Sequence, residues 1–418
     1  MGLMLISLTS ILFCMLDVRL FGVLASQFLF LLVLSIVFFY SKLKVDKDFL
    51  LFNAPYIFLF AFGMSAYVIV LSSYSSDDLY YIFFNNKDLL SEILLALLIY
   101  LFAVKKEWGT EVIRLFIEVY FLANFIYLIL ITISPDIALF FHEGITNITE
   151  LLYGRERLLG WEPSYTVPVS VLFTALYTLI YKNKTHLYFI LGFTLYIIIA
   201  GGSKTAYIFL FVSLFIWLYF IFSKRIKNKK FFFMIVGMVF LTSTYFTLDY
   251  LNSKNHYSNY KNLDLYHQYK IISFITRTEL ITAALQEIVS NPLGYGFGNG
   301  TVHLANTVQE NLDSFISIEI KEAEKYANSP KSQFLDYTLA GGIVFLFLLF
   351  RQISYLIKKI NVLQDKTKED LLKIVLIFLV GIIVIGERIP FILIVNFVWI
   401  ILLFPPKSDQ KGIMNEKN

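Results

Sequence analysis

The stretch GRERLLGWEPSYTVPVSVLFTALYTLIY, residues 154–181, sets four charged side chains against the mouth of an unbroken apolar run. From Pro163 to Tyr181 there is no charge, and the run is about as long as the roughly 20 residues a membrane-crossing helix needs. Arg155, Glu156, Arg157 and Glu162 crowd the preceding nine residues, and charge kept beside lipid usually serves a ligand or a partner. The same alternation of solid apolar block and charged connector repeats along the 418 residues. The chain is 58% hydrophobic and 16% charged, with a mean hydropathy of +0.69, far more apolar than a soluble core of this size requires. Short alternating segments of the β-barrel kind are absent, so the fold class is an all-α polytopic membrane protein.

About twelve spans are predicted, near 3–17, 20–41, 50–72, 89–104, 112–134, 163–181, 186–201, 205–222, 231–248, 332–350, 373–386 and 390–404. The first, from Leu3 to Val18, has no basic leader and no small-residue cleavage site, and reads as a retained span. Cys14 lies within it as a small buried hydrophobe. Every second connector is basic: Lys42, Lys44 and Lys47; Lys105 and Lys106; Lys182 and Lys184; the run Lys224 to Lys230; Arg351 to Lys373; and the tail after Lys407. By the positive-inside rule these connectors and both termini are cytoplasmic. The opposite set includes two large outward loops, about 135–162 and about 249–331, in what reads as a single integral-membrane domain over 1–418.

On this topology 19 of the 27 lysines are cytoplasmic, whereas five of the eight arginines (Arg19, Arg155, Arg157, Arg277 and Arg388) face outward. Lysine suffices as a topology marker, but guanidinium forks onto phosphate with paired hydrogen bonds, so the sorting points to an anionic, phosphate-bearing ligand outside. Arg155 and Arg157, two apart, share a side of an extended segment and can grip one diphosphate; the plainer alternative pairs them with Glu150, Glu156 or Glu162. Pro163 suits a first helical turn, with Glu162 near the cap and Ser164 following, a start that aims free N–H groups at an anion. Glu162 is the first candidate for a general base, with capping or arginine pairing as its competing role.

Gly201-Gly202-Ser203-Lys204-Thr205 leaves Lys204 at the outer boundary, positioned for phosphate or simply snorkelling. In the second loop, Arg277-Thr278-Glu279 precedes the turn-rich Asn291-Pro292-Leu293-Gly294-Tyr295-Gly296-Phe297-Gly298-Asn299-Gly300, a passage suited to close backbone approach. Apolar Leu312, Phe315, Ile316 and Ile320 predict an amphipathic helix over about Val308 to Tyr326. Asn328-Ser329-Pro330-Lys331-Ser332-Gln333 enters the tenth span. His267 and His303 read as ordinary surface histidines, Asp77-Asp78 as a solvated turn, and no metal-ligand spacing is present. Within the membrane, Arg114 stands one helical turn before Glu118 and is expected to pair with it.

Together these pieces resemble the O-antigen polymerase family, the Wzy type, and its relatives the O-antigen ligases. The likeness rests on Arg157-x-x-Gly160-x-Glu162-Pro163-Ser164 before the sixth span and Gly202-Ser203-Lys204-Thr205 before the eighth. It continues through Arg277, Asn291-Pro292-Leu293-Gly294-x-Gly296-x-Gly298, Ser329-Pro330-Lys331-Ser332-Gln333 and Gly341-Gly342. Two departures stand out. Lys204 replaces the arginine of many relatives, and Asn328 to Lys331 lacks the histidine that ligases carry there, which favours polymerase over ligase.

The resemblance implies a glycosyltransferase of the bacterial cytoplasmic membrane with its active site facing the periplasm or cell exterior. It would move a growing glycan from undecaprenyl diphosphate to a lipid-linked repeat unit of O-antigen or capsule. Arg155, Arg157, Lys204 and Arg277 would hold diphosphate, Glu162 would act as base or orient, and Lys331, Gln333 and Ser164 would contact substrate. No cofactor, metal or nucleic acid is implied; a chain-length regulator and a flippase are possible partners. The competing functions are an O-antigen ligase, and a lipid-linked oligosaccharide flippase, which predicts internal symmetry and buried mid-membrane charge.

Overall fold

The computed structural model describes residues 19–20, 23–24, 46–106, 109–134, 163–201, 265–330, 332–385 and 391–403. Eleven α-helices are resolved within these ranges: α1 Lys47–Val70, α2 Ser76–Lys106, α3 Thr110–Ile133, α4 Pro163–Ile180, α5 Lys184–Gly201, α6 Leu265–Ser290, α7 Asn299–Glu310, α8 Ile318–Glu322, α9 Gln333–Val362, α10 Lys366–Ile385 and α11 Phe391–Leu403. The described strands are β1 Arg19–Leu20 and β2 Val23–Leu24, an antiparallel pair with Arg19 opposite Leu24.

Among the described residues, α1, α3 and α9 are long and apolar enough to cross a bilayer, with shorter apolar helices at Thr166–Ile180 and Lys184–Ala200. This is a helical membrane protein. Expected spans 3–17, 205–222 and 231–248 lie outside the described residues, as does 20–41 apart from Leu20, Val23 and Leu24, which belong to the strand pair. Several helices begin where local chemistry places them. The Asp46 side chain accepts from the Asp48 N–H and caps α1, and α4 opens on Pro163, whose fixed φ and missing donor suit a first turn.

One apolar core joins α1 to α5 with α9 to α11. Phe52 of α1 stacks on Trp399 of α11 at 4.0 Å, and Phe116 of α3 meets Phe397 of α11 at 4.6 Å and Phe173 of α4 edge-on. In contrast, Leu115, Val119, Leu122, Ile126, Ile129 and Ile133 recur at helical spacing as an exposed stripe on α3, the pattern of a lipid-facing surface. The Arg114–Glu118 pair forms at 3.4 Å, and Tyr177 of α4 donates to the same carboxylate at 2.7 Å.

Ion pairs between helices join connectors that the charge alternation assigns to one side. Asp48 at the start of α1 meets Lys359 near the end of α9 at 2.9 Å, and Glu111 of α3 meets Lys182 after α4 at 2.6 Å. All four belong to the basic set. Asp78 and Lys325, both from the opposite set, pair at 2.6 Å.

A smaller second core carries the functional region. Leu280, Ala283 and Ala284 of α6, Leu304 and Val308 of α7, and Ile320 of α8 close over Leu339 of α9. Residues 265–330, expected as part of a large outward loop, are therefore mostly helical and docked on α9. The amphipathic helix expected over Val308–Tyr326 is not one element. The longer helix here, α7, ends at Glu310, and the chain then breaks into turns at Leu312–Ser314 and Lys325–Ala327 around the single-turn α8. The Glu279 carboxylate explains the break: it accepts from the Ile316 and Ser317 N–H groups at 2.6 and 3.1 Å, replacing helical partners with a side chain of α6.

Candidate active site

The Gly-rich passage and the middle of α9 form one structure. Gly342 sits inside α9 with φ 56° and ψ −151°, a conformation that interrupts the helix and that glycine alone adopts without strain. The interruption strands helical carbonyls, and the loop fills them. Tyr295 N–H donates to Leu339 O at 3.0 Å and Gly296 N–H to Ala340 O at 2.8 Å, while Ile343 N–H donates to Pro292 O at 2.9 Å. A Cβ on Gly294 would meet the Ala340 carbonyl, and one on Gly342 would meet the carbonyl of Pro292. On the loop's other side a Cβ on Gly296 would strike Ala66 of α1. The close backbone approach expected of this glycine run is thus made to protein.

Above the loop, the Glu287 carboxylate of α6 accepts from Tyr295 O–H at 2.8 Å and contacts His303 Nε2 of α7 at 2.9 Å. The His303 ring stacks on Tyr295 at 4.0 Å. Burial raises the Glu287 pKa, but hydrogen bonds from Tyr295 and His303 outweigh it and hold the carboxyl below its ordinary range. The Tyr295 phenol is pushed up by burial and by the adjacent carboxylate. His303, which read as an unremarkable surface residue, is one corner of a polar triad. Glu287 lies 16 residues before it, across the end of α6 and the glycine turn, so only folding shows the pairing.

Asp77-Asp78 also differs from its expected solvated turn. Asp78 is buried, receiving Lys325 Nζ at 2.6 Å, Tyr326 O–H at 2.8 Å and Ser75 O–H at 2.8 Å. Tyr326 stacks on Tyr81 of α2 at 4.4 Å. The acid anchors the turn after α8 to the N-terminal end of α2, which its local sequence could not disclose.

Of the residues expected to bind substrate, Arg277 is half-buried on α6, beside Thr276 and Glu279. Both neighbours hold the segment before α8, Thr276 through its hydroxyl contact with Ser317 and Glu279 through the two backbone N–H groups. Gln333 is the first residue of α9, buried, and donates Nε2 to Tyr337 O–H at 2.8 Å. The helices carrying Arg277 and Gln333 pack directly against each other. Asn328, also buried, donates to Ile320 O at 3.4 Å. Ser164 is the second residue of α4. Arg155, Arg157, Glu162, Lys204 and Lys331 lie outside the described residues.

The described residues thus combine an α-helical membrane bundle, a glycine loop docked into a broken helix, and a helix packed over it that carries Arg277. Residues 188–350, from α5 into α9, match the family model described as O-Antigen ligase. Over this region the chain is similar to the O-antigen ligase/polymerase family, whose members are membrane enzymes that transfer glycans. No curated protein matches the chain.

Proposed function

We propose that the protein is a polysaccharide repeat-unit polymerase. It transfers a growing O-antigen or capsular glycan from undecaprenyl diphosphate to a lipid-linked repeat unit, on the outer face of the bacterial cytoplasmic membrane. The family match over 188–350, which encloses Arg277, the docked glycine loop and Gln333, supports glycan transfer, and the lack of a histidine over Asn328 to Lys331 favours polymerase over ligase.

The chemistry follows from the substrate. The acceptor hydroxyl attacks the anomeric carbon, the bond from that carbon to the diphosphate oxygen breaks, and the diphosphate leaves with the bonding electrons. The donor is already activated, so the enzyme's work is to neutralise charge growing on the leaving group and to hold the hydroxyl in line. Arg155, Arg157, Lys204 and Arg277 take the first task. Glu162 accepts the hydroxyl proton, and Lys331, Gln333 and Ser164 hold the substrate.

The description of the matching family favours a second reading, the ligase, which delivers finished glycan to another acceptor. A deletion strain separates the two. Loss of a polymerase leaves single repeat units on the final acceptor, and loss of a ligase leaves none.

A further inference from the structure

We propose that the turn Asn291–Gly298 and the last two turns of α6 are sunk into the outer leaflet, with Leu285, Val289 and Leu293 against lipid acyl chains. The surface involved is apolar and open: Val289 is 81% and Leu293 65% exposed. Leu285 and Val289 share one face of α6, and Glu287 turns to the opposite side toward α7. The patch continues into the lipid face of α9, where Ile343, Phe347 and Phe350 are likewise exposed on a helix able to cross the bilayer. Pro292 and Ile343 join the two surfaces by their backbone hydrogen bond.

Two helical rulers fix the depth. Both start from the Asp48–Lys359 ion pair, which joins the inner ends of α1 and α9. At about 1.5 Å per residue, α1 rises about 22 Å from Asp48 to Gly63 and about 27 Å to Ala66. These are the residues that Gly296 and Phe297 touch. Along α9 the rise from Lys359 back to Gly342 is about 25 Å, and Gly342 touches Pro292 and Leu293. A hydrocarbon core is about 30 Å thick, so both rulers place the loop several ångströms below the outer boundary.

Backbone satisfaction agrees with that depth. Irregular chain survives in hydrocarbon where protein supplies its hydrogen bonds. Here Gly294 N–H donates to Asn291 O, the Tyr295 and Gly296 N–H groups donate to α9, and Pro292 O accepts from it. Gly294 O accepts from Asn291 Nδ2, Tyr295 O from Asn299 Nδ2, Gly296 O from Gly300 N–H, and Phe297 O from Asn86 Nδ2. A loop built for water would leave such groups to solvent. The Glu287–Tyr295–His303 triad then lies at the same depth, packed between α6 and α7 on the side of α6 turned away from lipid.

Spin labelling tests this directly and independently of the substrate assigned above. After Cys14→Ser removes the one native cysteine, nitroxides are placed at Val289→Cys and Leu293→Cys in protein reconstituted in vesicles. Phe347→Cys serves as the lipid control and Asp313→Cys as the aqueous one. The expected result is faster relaxation with oxygen than with a water-soluble nickel chelate at 289 and 293, as at 347, and the reverse at 313. A nickel preference at 289 and 293 would overturn the proposal in favour of a solvated loop. Low access to both reagents would overturn it in favour of a protein contact.

Discussion

Asn53 of α1 and Asn396 of α11 exchange two amide hydrogen bonds, at 2.9 and 2.8 Å, in the fully buried centre of the bundle. Each amide answers the other, so the pair fixes how α1 and α11 meet. Asn53 Nδ2 also donates to Phe49 O, but removing one partner still leaves polar atoms of the other buried amide unsatisfied, at about 1–3 kcal/mol, a cost that removing both avoids. Asn53→Leu and Asn396→Leu should each lower the melting temperature in detergent. The double variant should be more stable than the sum of the two losses predicts. Simple additivity would mean that the pair is uncoupled.

The union of Pro292 and Gly342 sets a second expectation. Gly342→Ala would have to hold φ near 56° with a Cβ against the Pro292 carbonyl. The backbone conformation alone costs about 1–3 kcal/mol, before the collision is added. Thermal unfolding of this variant, and of Gly294→Ala, should shift clearly downward, with protease sensitivity rising between α6 and α7. Gly109→Ala, where a Cβ meets nothing and φ is negative, is the control without collision or left-handed strain and should lose at most the small difference between glycine and alanine at the cap of α3.

Asp78 supplies a pH dependence. Burial by itself raises its carboxyl, but hydrogen bonds from Lys325, Ser75 and Tyr326 together bring it below the ordinary value of 3.8. A lowered carboxyl contributes stability that is present above the ordinary value and lost as pH falls through the folded one. The turn 323–330 should therefore resist proteolysis equally at pH 8 and pH 5 and open below about pH 4. Asp78→Asn should be loose at every pH. A wild-type protein that loosens between pH 8 and pH 6 would show that another group controls the turn.

Arg277 tests the diphosphate assignment by its geometry as well as its charge. Arg277→Ala should remove long glycan chains while leaving the protein inserted. Arg277→Lys, which keeps the charge without the bidentate fork, should recover only part of the activity. Full activity of the alanine variant would take Arg277 out of the site.

How much of this was legible in the sequence varies with the range of the forces involved. The span predicted at 112–134 returns as Thr110–Ile133, and that at 163–181 as Pro163–Ile180, because apolar length and a proline start are local properties. The tenth span was seen from 332, but Gly341-Gly342 did not reveal that the helix breaks there. That break depends on hydrogen bonds from Pro292, Tyr295 and Gly296, some fifty residues away in sequence. Asp78 reads as solvated for the same reason: its partners Lys325 and Tyr326 lie 247 and 248 residues away in sequence. The intended helix over 308–326 failed because Glu279 captured two backbone donors that a helix would have used. A signal for the His303 triad is present in Tyr295 within the glycine turn and His303 just after it, though Glu287 completes it only in three dimensions.

The most direct measurement of the central claim uses purified protein in lipid vesicles, supplied with a synthetic polyprenyl-diphosphate-linked repeat unit and no nucleotide. The account predicts a ladder of lipid-linked products growing one repeat at a time, abolished by Arg157→Ala and Arg277→Ala. Failure to extend the cognate substrate, or a ladder unchanged in both arginine variants, would contradict it.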